Sequence, residues 1–229
     1  MKIVVLTGAG ISAESGIKTF RDSDGLWEGH DVMEVASPQG WEANRELVSE
    51  FYNLRRAQLL EVEPNAAHKA FADLEKDFRV KIVTQNVDDL HERAGSTSVV
   101  HLHGELLKVR SSVDEDYILD WKKDLNAEDV CPKGSPLRPH IVWFGEQVPL
   151  LETAANLVAE ADALFIVGTS MQVYPAAGLL HYAGPQVPIY FIDPRPNIEP
   201  NPQIKVYAHT ATEGVLMAIA DLKKRFNID

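Results

Sequence analysis

A glycine-rich turn near the start of the chain contains residues that could bind a phosphate group. The pattern G-x-G-x-x-[GA] is matched by the run Gly8-Ala9-Gly10-Ile11-Ser12-Ala13, directly after an apolar stretch. Such glycines let the backbone approach a dinucleotide pyrophosphate at a helix N-terminus, although a glycine pair after a strand can also be only a tight turn. A hydride-transferring dehydrogenase needs a ribose-binding carboxylate about 20 residues further on. Residues 19–25 look like a loop instead, which argues against that class.

Two pairs of polar residues could take part in hydrogen bonding or acid–base chemistry. Asn86 and Asp88 follow an apolar run, and their spacing puts them on one side if the strand continues. They could equally cap the next helix. His101 and His103 are also two apart, and neutral imidazole is a competent base near neutral pH. Strand alternation would put both rings on one face, so periodicity does not choose between them, and either could be a hydrogen-bonded core residue.

Tyr52 and Arg55 form a third pair that could bind a ligand. A spacing of three places the phenol and the guanidinium on one face of a helix. A guanidinium can bind a carboxylate through two hydrogen bonds, and a phenol adds a further donor. Arginine on an amphipathic helix is more often a solvated surface residue, and the neighbouring Arg56 is expected to be one.

Short aliphatic runs alternate with amphipathic stretches along most of the chain. Buried strands are predicted at 3–6, 80–83, 163–167 and 189–192, with a weaker candidate at 204–207. Helical periodicity covers 41–60, 66–75, 153–161 and 212–226. This alternation predicts an α/β fold with a Rossmann-like, doubly wound parallel sheet.

Two stretches interrupt that alternation and predict a second, smaller domain. Residues 22–62 are polar and helical, and residues 107–139 are charged and poorly patterned. We expect the two insertions to pack together. The predicted large domain comprises about 1–27, 63–106 and 140–229, and the small domain about 28–62 and 107–139.

Composition narrows the class of protein. The chain has 229 residues, of which 45% are hydrophobic, and a formal net charge of −12, which disfavours binding to nucleic acid or anionic membranes. We expect neither a signal peptide nor a membrane span, because no apolar run approaches about 20 residues. The single cysteine, Cys131, excludes an intramolecular disulfide and fits a reducing interior. The sequence therefore predicts a cytoplasmic protein, expected to be monomeric.

Five blocks of the chain, in order, resemble the sirtuin family. The first is the run from Gly8 to Arg21, which agrees nearly residue for residue. The others are 84–91 (Thr-Gln-Asn-Val-Asp-Asp-Leu-His), 101–105 (His-Leu-His-Gly-Glu), 142–146 (Val-Trp-Phe-Gly-Glu) and 168–170 (Gly-Thr-Ser). The similarity covers nearly the whole chain, which is thereby identified as one sirtuin-type catalytic unit over residues 1–229.

The resemblance implies an enzyme that consumes NAD. In this family the acyl-lysine oxygen attacks the nicotinamide ribose and expels nicotinamide, and a ribose hydroxyl then attacks the acyl carbon, yielding O-acyl-ADP-ribose and free lysine. The resemblance assigns His103 as the base for that hydroxyl, and Asn86 and Asp88 as catalytic residues that hold the nicotinamide and its ribose. The cofactor-binding residues that it implies are Gly8, Ala9, Gly10, Ser12, Ala13, Phe20, Arg21, Trp27, Gln85, Asn86, Asp88, Gly168, Thr169, Ser170, Asp193 and Ala211.

The resemblance also implies how the substrate binds. The docking loop would comprise Val142, Trp143, Phe144, Gly145 and Glu146, whose extended backbone could pair with a peptide, although a buried strand with two core aromatics is the simpler interpretation of this stretch. In the class III branch, a Tyr-x-x-Arg pair such as Tyr52 and Arg55 recognises succinyl, malonyl and glutaryl lysine. We therefore expect acylated-lysine proteins as substrates, with acidic acyl groups preferred and acetyl removed more weakly. The alternatives are an ADP-ribosyltransferase on the same fold and a non-catalytic sensor of NAD or ADP-ribose.

The chain departs from the family at its structural zinc site. Most sirtuins bind zinc through four cysteines, whereas this chain has only Cys131, and Ser111 stands near the place of the first ligand. One thiolate cannot form a four-coordinate site, so we expect no zinc. The small domain should then be held by packing of Tyr117, Ile118, Leu119 and Trp121.

Overall fold

A computed structural model describes residues 1–18, 26–27, 29–171, 173–199 and 201–227. In chain order the elements are β1 (Lys2–Thr7), β2 (Leu26–Trp27), β3 (His30–Asp31), α1 (Val32–Val35), α2 (Pro38–Ala43), α3 (Arg45–Glu61), α4 (Ala66–Leu74), β4 (Arg79–Thr84), α5 (Leu90–Ala94), β5 (Val99–His101), β6 (Gly104–Ser111), β7 (Ile118–Asp120), β8 (Leu137–Ile141), α6 (Leu151–Ala159), β9 (Ala163–Val167), β10 (Ile189–Ile192), β11 (Ile204–Tyr207) and α7 (Ala211–Arg225). No helix among the described residues has the length and apolar character needed to cross a bilayer.

The large lobe is built on a parallel sheet of six strands in the order β11-β10-β9-β1-β4-β5. Its central strands are mostly apolar because helices cover both faces. On one face α4 and α7 pack against Ile3, Val5 and Ile82. On the other, α6 packs against Val4 and Leu6. The predicted doubly wound α/β fold is confirmed.

Most of the predicted elements are present, with a few informative differences. The predicted helix 41–60 is two helices, because Asn44 ends α2 and its side chain accepts the Leu47 N–H at 3.0 Å to begin α3. The glycine turn leads into two short 3-10 turns, Ala9–Ile11 and Ala13–Ser15, and not into an α-helix. Sequence analysis missed the short edge strand β5, which has only three residues.

The second lobe combines helices α1 to α3 with a three-stranded antiparallel sheet in the order β7-β6-β8. β6 begins at Gly104, whose φ of +82° and whose approach to the His140 carbonyl leave no room for a side chain. The expected domain boundaries at 106/107 and 139/140 fall within β6 and β8. The small sheet therefore begins three residues earlier than the charged insertion suggested.

A small apolar cluster fills the end of this lobe around Cys131, where the resemblance implied the zinc site. It contains Val109, Leu125, Cys131 and Leu137, with Tyr117, Leu119 and Trp121 packed against it. Ile118, which was expected to join this packing, is 41% exposed. Among the described residues, no group of three or more His, Cys, Asp or Glu side chains is arranged to hold a metal ion.

Arg56 joins the two parts of the second lobe and is not the solvated surface residue that we expected. Its side chain is buried, and its guanidinium donates to the Leu106 and Lys123 carbonyls at 3.2 and 3.3 Å and to Asn53 Oδ1 at 2.7 Å. Burial lowers the pKa of Arg56 to about 10, which leaves it charged near neutral pH. These bonds tie α3 to β6 and to the loop before β8.

Two buried histidines lie under the sheet edge where α4 and α5 begin. Asn65 caps α4, and His68 completes a capping box by accepting the Asn65 N–H at Nδ1. The His68 and His91 rings are 4.9 Å apart. Burial lowers the pKa of His68 to about 4 and that of His91 well below its ordinary value, so both are neutral.

We predict that His68 makes stability depend on pH. The unfolded chain protonates this histidine near pH 6.5 and the folded chain only near pH 4, so its contribution to the free energy of unfolding is complete above pH 6.5 and is lost as pH falls. Relative to His68→Gln, the wild type should lose about 2 kcal/mol between about pH 7.5 and pH 5, as measured by urea unfolding. A difference that does not change with pH would contradict a buried neutral His68.

We also predict that stability does not depend on zinc. Elemental analysis of the purified protein should find far less than one zinc per chain, and EDTA should leave the melting temperature unchanged, because an apolar cluster occupies the end of the small sheet. A four-cysteine sirtuin treated in parallel serves as the positive control. Stoichiometric zinc, or a melting temperature lowered by EDTA, would contradict the prediction.

Candidate active site

The two glycine turns identified in the sequence form one structural unit. β1 and β9 are parallel neighbours that end together, with Thr7 opposite Val167. The Gly10 N–H donates to the Gly168 carbonyl at 2.8 Å, and a Cβ on Gly10 would lie 2.6 Å from the Gly168 Cα. Ligands of open α/β sheets bind at this carboxyl edge of the strands. The expected cofactor residues in 8–13 and 168–170 are therefore brought together.

Ser12 is the centre of a buried polar cluster beside these turns. Its hydroxyl donates to Asp88 Oδ2 at 2.9 Å and accepts from Asn86 Nδ2 at 3.2 Å. Burial raises the pKa of Asp88 to about 6, although the hydrogen bonds from Ser12 and from the Leu90 N–H oppose that rise. Asp88 thus caps α5 through one oxygen, which accepts the Leu90 N–H, while its other oxygen accepts from Ser12.

Sequence analysis missed two residues of this cluster, His68 and His91. Because Nδ1 of His68 accepts the Asn65 N–H, its Nε2 carries the proton and points at Ser12 Oγ, 3.5 Å away. His91 Nε2 lies 3.2 Å from Thr7 Oγ1. His91 ends one of the blocks that resemble sirtuins, but only the placement of α4 brings His68 to the site.

The structure distinguishes His101 from His103. The strand alternation that we assumed does not apply, because β5 ends at His101 and His103 lies in the following turn. His103 Nδ1 lies 3.0 Å from the Gln85 carbonyl. A carbonyl only accepts, so Nδ1 carries the proton and Nε2 carries a lone pair. Burial lowers the pKa of His103, which keeps the ring neutral and suited to accept a proton.

His101 has both ring nitrogens engaged. Nδ1 lies 3.2 Å from the Asn86 carbonyl, and Nε2 lies 2.7 Å from Glu92 Oε1. Burial works against the charged ring, but the hydrogen bond and charge of Glu92 outweigh it and raise the pKa of His101. His101 is therefore a structural ion-pair partner, and the geometry favours His103 as the base.

Tyr52 and Arg55 lie on one face of α3, as predicted, and line a cavity of about 60 Å³ that reaches Asp88. Tyr52 is fully buried, and its hydroxyl accepts from Trp143 Nε1 at 3.0 Å. The Arg55 guanidinium lies over the Phe51 ring at 3.5 Å and donates to the Phe51 carbonyl at 2.5 Å. The other residues that line the cavity are Ile17, Lys18, Trp27, Gln58, Leu59, Val87 and Leu106.

The expected docking loop follows β8 and has an irregular conformation. The Val142 N–H donates to the His103 carbonyl at 2.9 Å, which holds the start of the loop beside the candidate base. Trp143 is buried, whereas Phe144 is 42% exposed and Gly145 has a φ of +90°. The alternative of a buried strand with two core aromatics therefore fits Trp143 alone. Glu146 is half-buried and accepts from Arg138.

The remaining predicted residues are spread along the same edge of the sheet. Gln85 Nε2 donates to Thr169 Oγ1 at 3.2 Å. Asp193 is buried after β10 and accepts the Arg195 N–H at 2.8 Å, and Ala211 is the first residue of α7. Trp27 lines the Tyr52 cavity, and two further predicted residues, Phe20 and Arg21, lie outside the described part of the chain.

Comparison with known proteins agrees with this arrangement. The Sir2 family matches residues 8–175. A Helicobacter pylori (strain ATCC 700392 / 26695) protein named NAD-dependent protein deacylase is 58% identical over 220 residues, which cover 96% of this chain and 95% of that protein. A protein of the same name from Bacteroides thetaiotaomicron is 53% identical over 221 residues, covering 93% and 94% of the two chains.

Solved structures show the same likeness. A Sir2 homologue in complex with ADP-ribose superposes with a TM-score of 0.88 at 38% identity, covering 100% of this chain and 94% of the other. A Sir2 homologue in complex with NAD gives 0.84 at 38% identity, covering 98% and 90%. A Sir2 protein bound to an acetylated peptide gives 0.77 at 26% identity, covering 99% and 94%. With its fold, its glycine turns and its relatives in agreement, the chain belongs to the Sir2 family, whose co-substrate is NAD.

Proposed function

We propose that this protein is an NAD-dependent protein-lysine deacylase that prefers acidic acyl groups such as succinyl and malonyl. The deacylase activity is supported by relatives of that name at 53–58% identity along nearly the whole chain. The acyl preference is carried by one observation, namely that Tyr52 and Arg55 line the cavity that leads to Asp88. Monomeric state and cytoplasmic location stay predictions from the sequence.

The residues beside the glycine turns fit the nicotinamide end of NAD. Asp88 is an acceptor that is mostly ionised near neutral pH, and Asn86 presents an amide. An amide and a carboxylate held by Ser12 can hydrogen-bond a primary carboxamide, which has both donors and an acceptor. When bound, NAD supplies an electrophilic ribose carbon with nicotinamide as leaving group.

His103 acts on the ribose in this proposal. The bond between Nδ1 and the Gln85 carbonyl orients the ring, and the lone pair on Nε2 takes the proton from a ribose hydroxyl as that oxygen attacks the acyl carbon. The lowered pKa of His103 keeps this lone pair available through the neutral range. Gln85, which orients His103, comes shortly before Asn86 and Asp88 in the chain. The distance between the base and the nicotinamide residues is therefore held constant by one backbone segment.

Arg55 and Tyr52 account for the preference for an acid. The guanidinium lies over the Phe51 ring and lines the cavity, where its positive charge attracts an acyl carboxylate. The phenol of Tyr52, whose side chain is buried, adds a hydrogen-bond donor at the cavity wall. Hydrogen bonds to charged groups are stronger in such a site than in water.

We predict that Arg55→Met reduces desuccinylation about 10- to 100-fold in kcat/KM, because it removes the charged donor for the acyl carboxylate. Deacetylation should change far less. The assay follows nicotinamide release and peptide mass on succinyl-lysine and acetyl-lysine peptides, with and without NAD. The matched control is Arg45→Met, an exposed arginine at the start of the same helix. Equal losses on both peptides, or a wild type that prefers acetyl, would refute the acidic preference.

We predict that His103→Ala abolishes turnover on every acyl peptide while NAD still binds, because the imidazole acts on the ribose and does not hold the dinucleotide. Activity should fall by at least about 100-fold, as expected when a general base is lost. Calorimetric titration with NAD checks binding, and His101→Ala, which removes an ion-pair partner, is the comparison. Labelled ADP-ribose on protein without deacylated peptide would instead favour the transferase alternative.

A further inference from the structure

Trp143 connects the docking loop to the cavity at Tyr52. Its side chain is 2% exposed, and its indole N–H donates to the Tyr52 hydroxyl at 3.0 Å. Both rings belong to the apolar cluster that joins α3 to β8. A buried indole needs an acceptor for its N–H, and here that acceptor is the Tyr52 hydroxyl. Because the acceptor is a phenol at the cavity wall, this hydrogen bond also affects the direction of the phenol's own O–H.

The hydrogen bond from Trp143 determines where the proton of Tyr52 can point. A phenol oxygen has one proton and accepts through its lone pairs, so accepting from the indole turns its own O–H away from Trp143. Among the described residues, no acceptor for that O–H is found. Tyr52 shares its cavity with Arg55, so a donor aimed there meets the same carboxylate that the guanidinium attracts.

Trp143 is itself held rigidly from two sides. The Arg138 guanidinium lies 3.4 Å from the centroid of the Trp143 ring. Arg138 donates to the two oxygens of Glu146 at 2.7 and 3.1 Å, and Glu146 also accepts the Trp143 backbone N–H at 2.8 Å. Arg110 lies 3.4 Å from the same carboxylate. These contacts hold the indole ring in one orientation, in which its N–H points at the Tyr52 hydroxyl.

We propose that Trp143 is a positioning residue for acyl selectivity, which orients the Tyr52 hydroxyl so that its proton is donated into the acyl cavity. The proposal rests on the proposed preference for acidic acyl groups. It assigns the buried side chain of Trp143 to the acyl site, although this residue lies in the expected docking loop. Arg138 and Glu146 act indirectly, by holding the indole against the phenol.

The first test compares Trp143→Phe with the wild type on succinyl-lysine and acetyl-lysine peptides. Without the indole N–H the phenol can rotate, so the ratio of the two kcat/KM values, succinyl over acetyl, should fall about three- to tenfold, mainly through KM for the succinyl peptide. The matched control is Trp41→Phe. Trp41 is also buried, and its ring centroid lies 5.8 Å from that of Trp143, so its loss perturbs the same cluster without touching the phenol. Trp41→Phe should leave the ratio unchanged.

A second measurement separates orientation from packing. Replacing Trp143 by 3-benzothienylalanine keeps the bicyclic ring over Arg138 and removes only the N–H, and it should lower the ratio as much as Trp143→Phe does. In a Tyr52→Phe background, neither change should lower the ratio further, because no phenol remains to be oriented.

The outcomes distinguish this proposal from the function on which it rests. If Tyr52→Phe and Arg55→Met lower the ratio but the benzothienyl variant does not, the acidic preference stands and the role of Trp143 is refuted. If Trp41→Phe lowers the ratio equally, the effect is one of packing and the role is again refuted. If neither Tyr52→Phe nor Arg55→Met lowers the ratio, the proposed preference fails, and the positioning role fails with it.

Discussion

The contact between the two glycine turns is the constraint on which the site depends. Gly10 and Gly168 approach so closely that a single methyl group on either would collide with backbone. This contact locks the carboxyl ends of β1 and β9 together and determines the course of the chain into Ser12. Because parallel strands end at the same edge, the loop after β4 arrives beside them with Gln85, Asn86 and Asp88.

The contact between the glycine turns buries polar side chains, and these side chains need hydrogen-bond partners. Ser12, Asn86 and Asp88 are buried under the turn, and buried polar groups are costly unless they are paired. The Ser12 hydroxyl accepts from Asn86 and His68 and donates to Asp88. His68 can donate to it through Nε2 only because its Nδ1 accepts the Asn65 N–H. The capping of α4 thereby determines the direction of a hydrogen bond in the site.

The acyl cavity depends on the second lobe in a similar way. Tyr52 and Arg55 come from α3, whereas Trp143, which donates to the Tyr52 hydroxyl, comes from the loop after β8. Arg56, next to Arg55 in sequence, points to the other side of α3 and ties that helix to β6. Two adjacent arginines thus have different roles, because a helix turns about 100° per residue and its two faces meet different neighbours.

The sequence by itself predicted the α/β class, the order of the central strands along the chain and the polar residues beside the glycine turns, apart from His68 and His91. It could do so because central parallel strands are continuous aliphatic runs and because the glycine, Asn-x-Asp and His-x-His patterns are local. The weaker signals were in the second lobe, where charged residues such as Lys108, Arg110 and Arg138 interrupt the apolar pattern of β6 and β8, so the sequence of these strands resembles that of a loop.

Only the tertiary structure gave a physical reason to prefer His103 to His101, placed His68 beside Ser12, buried Arg56 and brought Trp143 to Tyr52. Each of these outcomes depends on a partner far away in sequence: the Gln85 carbonyl for His103, Ser12 for His68, the Leu106 carbonyl for Arg56 and the Tyr52 hydroxyl for Trp143. The sequence shows which functional groups a side chain has. Its tautomer, its burial and the direction of its proton depend on neighbouring residues that only folding brings together.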